Sequence, residues 1–313
     1  MGTIVTITFN PAIDKSTTVP LLIPEKKLNC TKPVYEPGGG GINVARALKR
    51  LGADATAIYL AGGPSGRVFT SLLEKENIRI IPIKTLGVTR ENIIVKEDSS
   101  NQQFRFGMPG DKVTEKEWES CLLALSEIPD VSYLVVSGSL PDGIPDTIFE
   151  RLAQIAVAKY AKLIVDTSGK SLVLAAKAGA YLIKPNRKEL AHLIGKENLS
   201  VAQVEQASKE VLQMYSCEVI VTSLGAEGAM ISTKDKSFHI MTPQVKIHST
   251  VGAGDSMLAG IVFSLFQDKN LLTAAQYGVA CGTAATMNEG TELCHLNDVE
   301  FLYRTIQNQS ALS

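Results

Sequence analysis

The sequence predicts an α/β fold, a mostly parallel β-sheet covered by helices on both faces with a small second sheet inserted into it. Three observations carry this expectation. Short, β-branched apolar runs recur at TIVTIT near residue 5, TAIYL near 57, YLVV near 134, KLIV near 163, YLI near 182 and VIVT near 220. Segments of helical periodicity lie between most of them: Val44, Leu48 and Leu51 share one face, and Leu258, Ile261, Val262, Leu265 and Phe266 another. Strand and helix alternating in this way imply parallel strands joined by crossover helices. The third observation is a change of texture at residues 15–35 and 88–107, where STTV, KLNCTKPVYE, ENIIVKE and QQFRFG alternate polar and apolar residues. These read as antiparallel strands of a separate sheet able to cover a site. No internal repeat, low-complexity tract or linker divides the chain, so one domain over residues 1–313 with that appendage is expected.

Bulk properties narrow the function. A chain of 313 residues with 45% hydrophobic and 20% charged content can bury a large core without help. A net charge of -1, with Lys and Arg spread along the chain, gives no electrostatic case for nucleic acid or an anionic membrane. Small-molecule partners are expected instead. The five cysteines, Cys30, Cys121, Cys217, Cys281 and Cys294, form no C-x-x-C pair and read as reduced thiols of a cytoplasmic protein. No apolar stretch reaches the roughly 18 residues of a membrane span, and the opening MGTIVTITFN reads as a first core strand rather than a leader or a lipid-anchor signal.

The chemistry concentrates just after each strand. TIVTIT leads into FNPAID, YLVV into SGSLPDG, KLIV into DTSGKS, YLI into KPNRKE and VIVT into SLGAEG. Polar and glycine-rich clusters therefore sit beyond the carboxyl ends of the core strands, where open α/β sheets hold their ligands.

Two glycine motifs stand out. In Ser249-Thr250-Val251-Gly252-Ala253-Gly254-Asp255-Ser256 the glycines let backbone N–H groups and a helix N-terminus approach an anion. An Asp in that first turn can take a proton from a hydroxyl while the amides hold a transferring phosphoryl group. Alone, the same residues serve equally as a turn with Asp255 complementing the helix dipole. The second motif, Pro37-Gly38-Gly39-Gly40-Gly41-Ile42-Asn43-Val44-Ala45-Arg46, opens a helix whose first turn offers the Asn43 amide. It is neither G-x-G-x-x-G nor a P-loop, and Gly169-Lys170-Ser171 only looks like the end of one because Ile164, inside a strand, stands where the leading glycine belongs. His192, His239, His248 and His295 show no metalloprotease spacing, and no G-x-S-x-G elbow is present.

PGGGGINVARALKRLG and STVGAGDSM, about 210 residues apart in that order, resemble the two signatures of the ribokinase-like (PfkB) carbohydrate kinase family. The resemblance spans the whole chain, through Asn10-Pro11-Ala12-Ile13-Asp14, Ser137-Gly138-Ser139-Leu140-Pro141, Lys184-Pro185-Asn186-Arg187-Lys188-Glu189, Ser223-Leu224-Gly225-Ala226-Glu227-Gly228 and Asn288-Glu289-Gly290-Thr291. It implies a three-layer ribokinase-like α/β fold with a small β-sheet lid. It implies Asp255 as the base, with the amides of Gly252, Ala253 and Gly254 as the anion hole. Asp14, Gly39, Asn43 and Ser139 would hold the sugar. Lys184, Asn186, Ser223, Gly225, Gly228, Asn288 and Gly290 would line the ATP site, and Glu189 would act on Mg²⁺ through water, although Asn186 and Glu189 also spell a capping box. A monovalent cation such as K⁺ is a further candidate.

Charge points to the acceptor. Lys27, Arg90 and Arg105 lie in the lid segments, where cations closing over a crevice suit a second phosphate. SGSLP, VTREN and FRFGMPG resemble the phosphosugar branch of the family, which includes minor-type bacterial 6-phosphofructokinase, 1-phosphofructokinase and tagatose-6-phosphate kinase. Gly40 stands where the last two usually have lysine, so the resemblance implies ATP-dependent conversion of fructose 6-phosphate to fructose 1,6-bisphosphate. Asn29 and Ala12 depart from residues that some relatives present to phosphate and sugar. A sensor that kept the fold and lost turnover is the non-enzyme alternative, against which the retained Asp255 stands. Val34, Tyr35, Ile93, Ile94, Val95 and Phe104 exceed what a small sheet can cover, so a homodimer through the lids is expected.

Overall fold

A computed structural model describes residues 2–310. The strands are β1 (Thr3–Thr8), β2 (Ala12–Val19), β3 (Val34–Gly38), β4 (Ala55–Gly62), β5 (Arg79–Thr85), β6 (Arg90–Glu97), β7 (Gln102–Phe106), β8 (Val131–Ser137), β9 (Lys162–Asp166), β10 (Leu182–Ile183), β11 (Val219–Ser223), β12 (Ala229–Ser232) and β13 (Ser237–Ile240). The helices are α1 (Gly40–Arg50), α2 (Gly63–Lys75), α3 (Glu115–Glu127), α4 (Ile148–Ala158), α5 (Gly169–Lys177), α6 (Arg187–Leu193), α7 (Val201–Met214), α8 (Ala253–Phe266), α9 (Leu271–Thr286) and α10 (Leu296–Ser310).

Nine strands form the large sheet in the order β13-β12-β11-β10-β9-β8-β1-β4-β5, parallel except for the β11-β12-β13 edge. The period-2 geometry of a strand sorts its side chains into two cores. Ile4, Tyr59, Val135 and Ile164 pack with α1, α2, α8, α9 and α10 on one face. Val5, Ile58, Leu134 and Val165 pack with α3, α4, α5, α6 and α7 on the other. Three layers result, as expected. The order reverses beside β1, which pairs with β4 on one side and β8 on the other. Such a switch point opens a crevice beyond the carboxyl ends of the strands.

The small sheet has the order β3-β2-β6-β7. It differs in two ways from the antiparallel strands expected over 15–35 and 88–107. The central pair, β2 with β6, is parallel from Ala12↔Arg90 to Val19↔Glu97, because both strands leave the large sheet on the same side. Residues 20–33 form no strand, so KLNC is loop and the pairing on that edge is confined to β3. Strand β5 was not anticipated: Pro82 interrupts the β signal in RIIPIKT, and an edge strand tolerates it. No described helix is long and apolar enough to cross a membrane.

Candidate active site

At the N-terminus of α8 the backbone must turn sharply, and Gly252 does so at φ 73°, where a side chain is strained and a Cβ would also stand 2.6 Å from Leu293 Cδ2. The amides of Gly252, Ala253 and Gly254 find no acceptor among the described residues, so three N–H groups and the positive end of a 14-residue helix face one spot. Asp255 stands in that first turn, and Asn43 Nδ2 of α1 donates to its Oδ2 at 2.8 Å. The two glycine motifs, 212 residues apart at these positions, therefore meet at one carboxylate.

Burial pushes the Asp255 carboxyl up to about 6, and the nearby Asp166 charge adds to it, against the Asn43 hydrogen bond and Lys184. Lys184 follows β10, and its Nζ pairs with Asp166 Oδ2 at 3.0 Å and lies 3.4 Å from where a Cβ on Gly254 would stand. Burial alone would lower the Lys184 ammonium, but Asp166, Asp255 and Glu189 surround it and hold it above its ordinary value. A lysine so placed stays charged beside the first turn of α8. Asp166, at the end of β9, was missed as a site residue. The signal was present in KLIV running into DTSGKS, since every strand ending here carries polar chemistry.

Around β1 and β2 lies the second half. Gly39, at φ 113°, lets the chain enter α1 while a Cβ there would press on Thr8 Cγ2 at 2.9 Å and Pro11 Cα at 3.2 Å. Asp14 accepts from Asn92 Nδ2 at 2.8 Å, and burial raises its carboxyl against Asn92 and Arg90. Asn10 Nδ2 donates to Ser139 Oγ at 3.0 Å. Arg90 donates from Nη2 to Asn10 O at 3.0 Å and from Nη1 to Met108 O at 2.9 Å, while its Nε is buried with no partner among the described residues. Register places Asp14, Arg90, Asn92 and Arg105 on one face of the small sheet. Arg105 Nη2 reaches Thr250 Oγ1 at 3.4 Å, tying that face to the loop before Asp255. Lys27 is not brought in: it sits in the exposed 20–33 loop and makes no hydrogen bond or ion pair among the described residues. Asn10 and Asn92 were also missed, because an amide in a strand or turn carries no sequence pattern.

The remaining residues lie at or just past the ends of β10 and β11 and in the loop after α9. Asn186 and Glu189 make the capping box of α6, Oδ1 accepting from Glu189 N at 2.9 Å and Oε2 from Asn186 N at 2.8 Å. Ser223 N donates to Pro185 O at 3.0 Å, and Gly225 and Gly228, at φ 63° and 90°, frame the turn that follows β11. Ser249 Oγ donates to Gly290 O at 2.7 Å, and Asn288 Nδ2 to Leu293 O at 2.9 Å, which draws the last loop against the α8 turn. No group of three or more His, Cys, Asp or Glu suited to a metal occurs among the described residues. A hydrated Mg²⁺ needs no such cage, only one or two carboxylates and phosphate oxygens. The second oxygen of Glu189, half-buried beside Lys184, fits that use.

The family model for pfkB family carbohydrate kinases matches residues 5–298. ATP-dependent 6-phosphofructokinase isozyme 2 of Escherichia coli (strain K12) is 40% identical over 304 residues, covering 97% of this chain and 98% of that protein. The isozyme 2 enzyme of Mycobacterium tuberculosis (strain CDC 1551 / Oshkosh) is 37% identical over 300 residues, covering 95% and 88%. Among solved structures, phosphofructokinase-2 from Escherichia coli in complex with potassium matches with a TM-score of 0.94 at 40% identity, over 98% of this chain and 100% of that one. Its complex with fructose-6-phosphate gives 0.90 at 38% identity, over 98% and 100%. Its tetrameric inhibited form gives 0.92 at 39% identity, over the same shares. A match running from the first core strand into the last helix, on a chain whose two glycine motifs converge on one aspartate, means that the chain belongs to the pfkB family of carbohydrate kinases.

Proposed function

We infer that this chain transfers the γ-phosphoryl group of ATP to O1 of fructose 6-phosphate, giving fructose 1,6-bisphosphate. The observation that carries the reading is Asp255, poised to be ionised at neutral pH, beside three helix-terminal amides that are unpaired among the described residues, with the sheet face bearing Arg90 and Arg105 tied to its loop through Thr250. Asp255 takes the proton from the O1 hydroxyl as O1 bonds to phosphorus. The bond from phosphorus to the β,γ-bridging oxygen breaks, and ADP leaves. The amides of Gly252, Ala253 and Gly254 and the Lys184 ammonium face the charge on the transferring oxygens. Asp14, Gly39, Asn43 and Ser139 hold the sugar, and Arg90 and Arg105 its 6-phosphate; the buried Nε of Arg90, without a partner among the described residues, is a donor suited to that phosphate. Lys27 joins them only if the 20–33 loop folds inward. Lys184, Asn186, Ser223, Gly225, Gly228, Asn288 and Gly290 form the nucleotide side. When bound, Mg²⁺ neutralises charge on the β- and γ-phosphates; Glu189 would hold it through its waters, and K⁺ is the candidate monovalent ion.

In this reading the chain is a single kinase domain, and the small sheet, from the segments 15–35 and 88–107, is its lid. The 37–40% identical relatives named isozyme 2 of 6-phosphofructokinase favour fructose 6-phosphate over other phosphohexoses. An ADP-release screen over fructose 6-phosphate, fructose 1-phosphate, tagatose 6-phosphate and the unphosphorylated sugars tests it. The highest kcat/KM should fall on fructose 6-phosphate; a free sugar ranking first would overturn the acceptor, and no ADP release with any of them would favour a sensor. Pairing of two lids into a homodimer is part of the same proposal. Tyr35, Ile93 and Phe106 form one exposed row on the lid face away from Asp14.

A further inference from the structure

The helix that carries Asn43 also carries a buried charge that the phosphoryl-transfer chemistry leaves unused. Arg46 lies three residues on in α1 with its side chain 3% exposed. A guanidinium is kept in such a place only where partners surround it. Nε donates to both carboxylate oxygens of Glu76, just past α2, at 2.8 and 3.0 Å. Nη1 donates to Pro37 O at 2.9 Å, and Nη2 faces Glu36 Oε1 of β3 at 3.5 Å. Glu36 in turn accepts from the Thr291 hydroxyl of the nucleotide-side loop. One contact remains: Nη1 points to Asn43 Oδ1 at 3.5 Å, while Asn43 Nδ2 is the donor to Asp255.

That contact selects between two orientations of one amide. The two ends of an Asn side chain are alike in size and opposite in polarity. Turned over, Asn43 would set its oxygen against the Asp255 carboxylate and its NH₂ against a guanidinium, exchanging two attractions for two repulsions. No other hydrogen bond engages the Asn43 side chain among the described residues. We propose that Arg46 is a positioning residue for phosphoryl transfer: gripped by Glu76 and Glu36, it keeps the N–H end of Asn43 on Asp255. The proposal rests on the reading of Asp255 as the base.

The other groups acting on Asp255 come from separate elements: Asp166 from β9, Lys184 after β10 and Asp14 from β2. Asp14 also feels Arg46, so the test has to separate the two routes. The kcat and KM values for fructose 6-phosphate and ATP are measured between pH 5.5 and 9 for wild type, Arg46→Met, Asn43→Ala and the double variant. Loss of the Asn43 donation raises the Asp255 carboxyl, so the acid limb of kcat should move up by about one pH unit in Arg46→Met. Turnover at pH 6 should fall about fivefold, with KM for ATP unchanged. Asn43→Ala should shift the limb similarly, and the double variant no further, since residues acting through one another are not additive. Additive shifts would overturn the proposal, and so would an unmoved limb in a folded Arg46→Met with only its Tm lowered.

Removing one member of a buried ion pair can unfold a protein, so two milder variants are included. Arg46→Lys keeps the charge but cannot span Glu76 and Asn43. Glu76→Gln, at a side chain 29% exposed, loosens the grip while leaving Arg46 in place. Both should move the acid limb upward by less than Arg46→Met does; two unmoved limbs would sink the idea. Failure of the base is separately visible: Asp255→Asn with near wild-type turnover overturns that reading whatever Arg46 does. An inactive Asp255→Asn beside an unmoved Arg46 series overturns the positioning role alone.

Discussion

To act as the base proposed for it Asp255 must be ionised, yet it sits where burial and the neighbouring Asp166 penalise its charge. Its folded value of about 6 lies above the ordinary aspartate range, so activity should be full above that value and fall away as pH drops through it. A pH profile of kcat checks this, and a limb near pH 4 would contradict the environment described. The sign for stability is opposite. A raised folded value means the folded protein binds the proton more tightly than the unfolded chain, so ionised Asp255 destabilises the fold at neutral pH. Asp255→Asn should therefore lower turnover about 10²- to 10⁴-fold while gaining roughly 1–3 kcal/mol of stability at pH 7.5, because the amide oxygen can still accept from Asn43. Thermal melts at pH 7.5 and 5 should show the variant's advantage shrinking in acid. Arg90 belongs to the same scale. If its Nε, unpartnered among the described residues, meets the acceptor's phosphate, Arg90→Ala should raise KM for fructose 6-phosphate about 10- to 150-fold, the worth of one charge-assisted hydrogen bond, and leave KM for ATP alone. Equal losses with free fructose would refute it, since free fructose lacks the group that Arg90 is assigned to hold.

Helix α9 presses closely against α8, the helix that carries the Asp255 turn. A Cβ on Gly278 would stand 2.9 Å from Met257 O and 2.5 Å from Ile261 Cγ1, and one on Gly260 would stand 2.5 Å from Cys281 Sγ. Met257 is two residues from Asp255, so any retreat of α8 is felt at the site. Alanine gains about 1 kcal/mol over glycine in a helix interior, but overpacking costs roughly 1–3 kcal/mol, and the fixed backbone atom leaves no flexible tip to yield. Gly278→Ala should thus lower Tm by a few degrees and kcat by several-fold, with KM values nearly unchanged; a stabilised, fully active variant would show that the interface has slack. At this scale the sequence was informative where one signal dominated. Strands β1, β4, β8, β9, β10 and β11 were legible because both faces are largely buried and their runs are short and rich in apolar and β-branched residues. Strands β12 and β13 are only four residues each and offered too short a period to read. The parallel pairing of β2 and β6 was not legible, since alternation fixes which face a residue takes and says nothing of strand direction.

The pieces of the site lie far apart in the chain, and what joins them is the arrangement of whole sheets. Asp255 and the glycines before it stand out in the sequence as a motif, and Asp14 only through the family resemblance, whereas Asp166, Asn92 and Arg46 show themselves only through partners that the tertiary fold supplies. Surface residues pose the same problem in reverse. Of the six apolar lid residues expected to lie open, Ile94 and Val95 are buried and Phe104 is partly covered, leaving Val34, Tyr35 and Ile93, to which the structure adds Phe106. Cross-strand register sorts them: Tyr35, Lys15, Ile93 and Phe106 stand in one row, facing away from Asp14 and Arg105. An exposed row of this kind on a four-stranded sheet suits a two-fold mate that offers the same row, because an isologous contact buries each apolar group against its own kind. Lys15 lies over the Tyr35 ring at 5.3 Å, so its charge can remain at the rim of such a contact. Wild type should therefore scatter light as a dimer, or as a tetramer built from such dimers, at micromolar concentration. Ile93→Asp places a charge in the middle of the row without touching any site residue, and should dissociate the lid pair while each subunit stays folded. A monomeric wild type would remove the proposal. An Ile93→Asp variant of unchanged mass would move the interface to another surface, since a buried, unpaired carboxylate at the centre of the contact could not be tolerated.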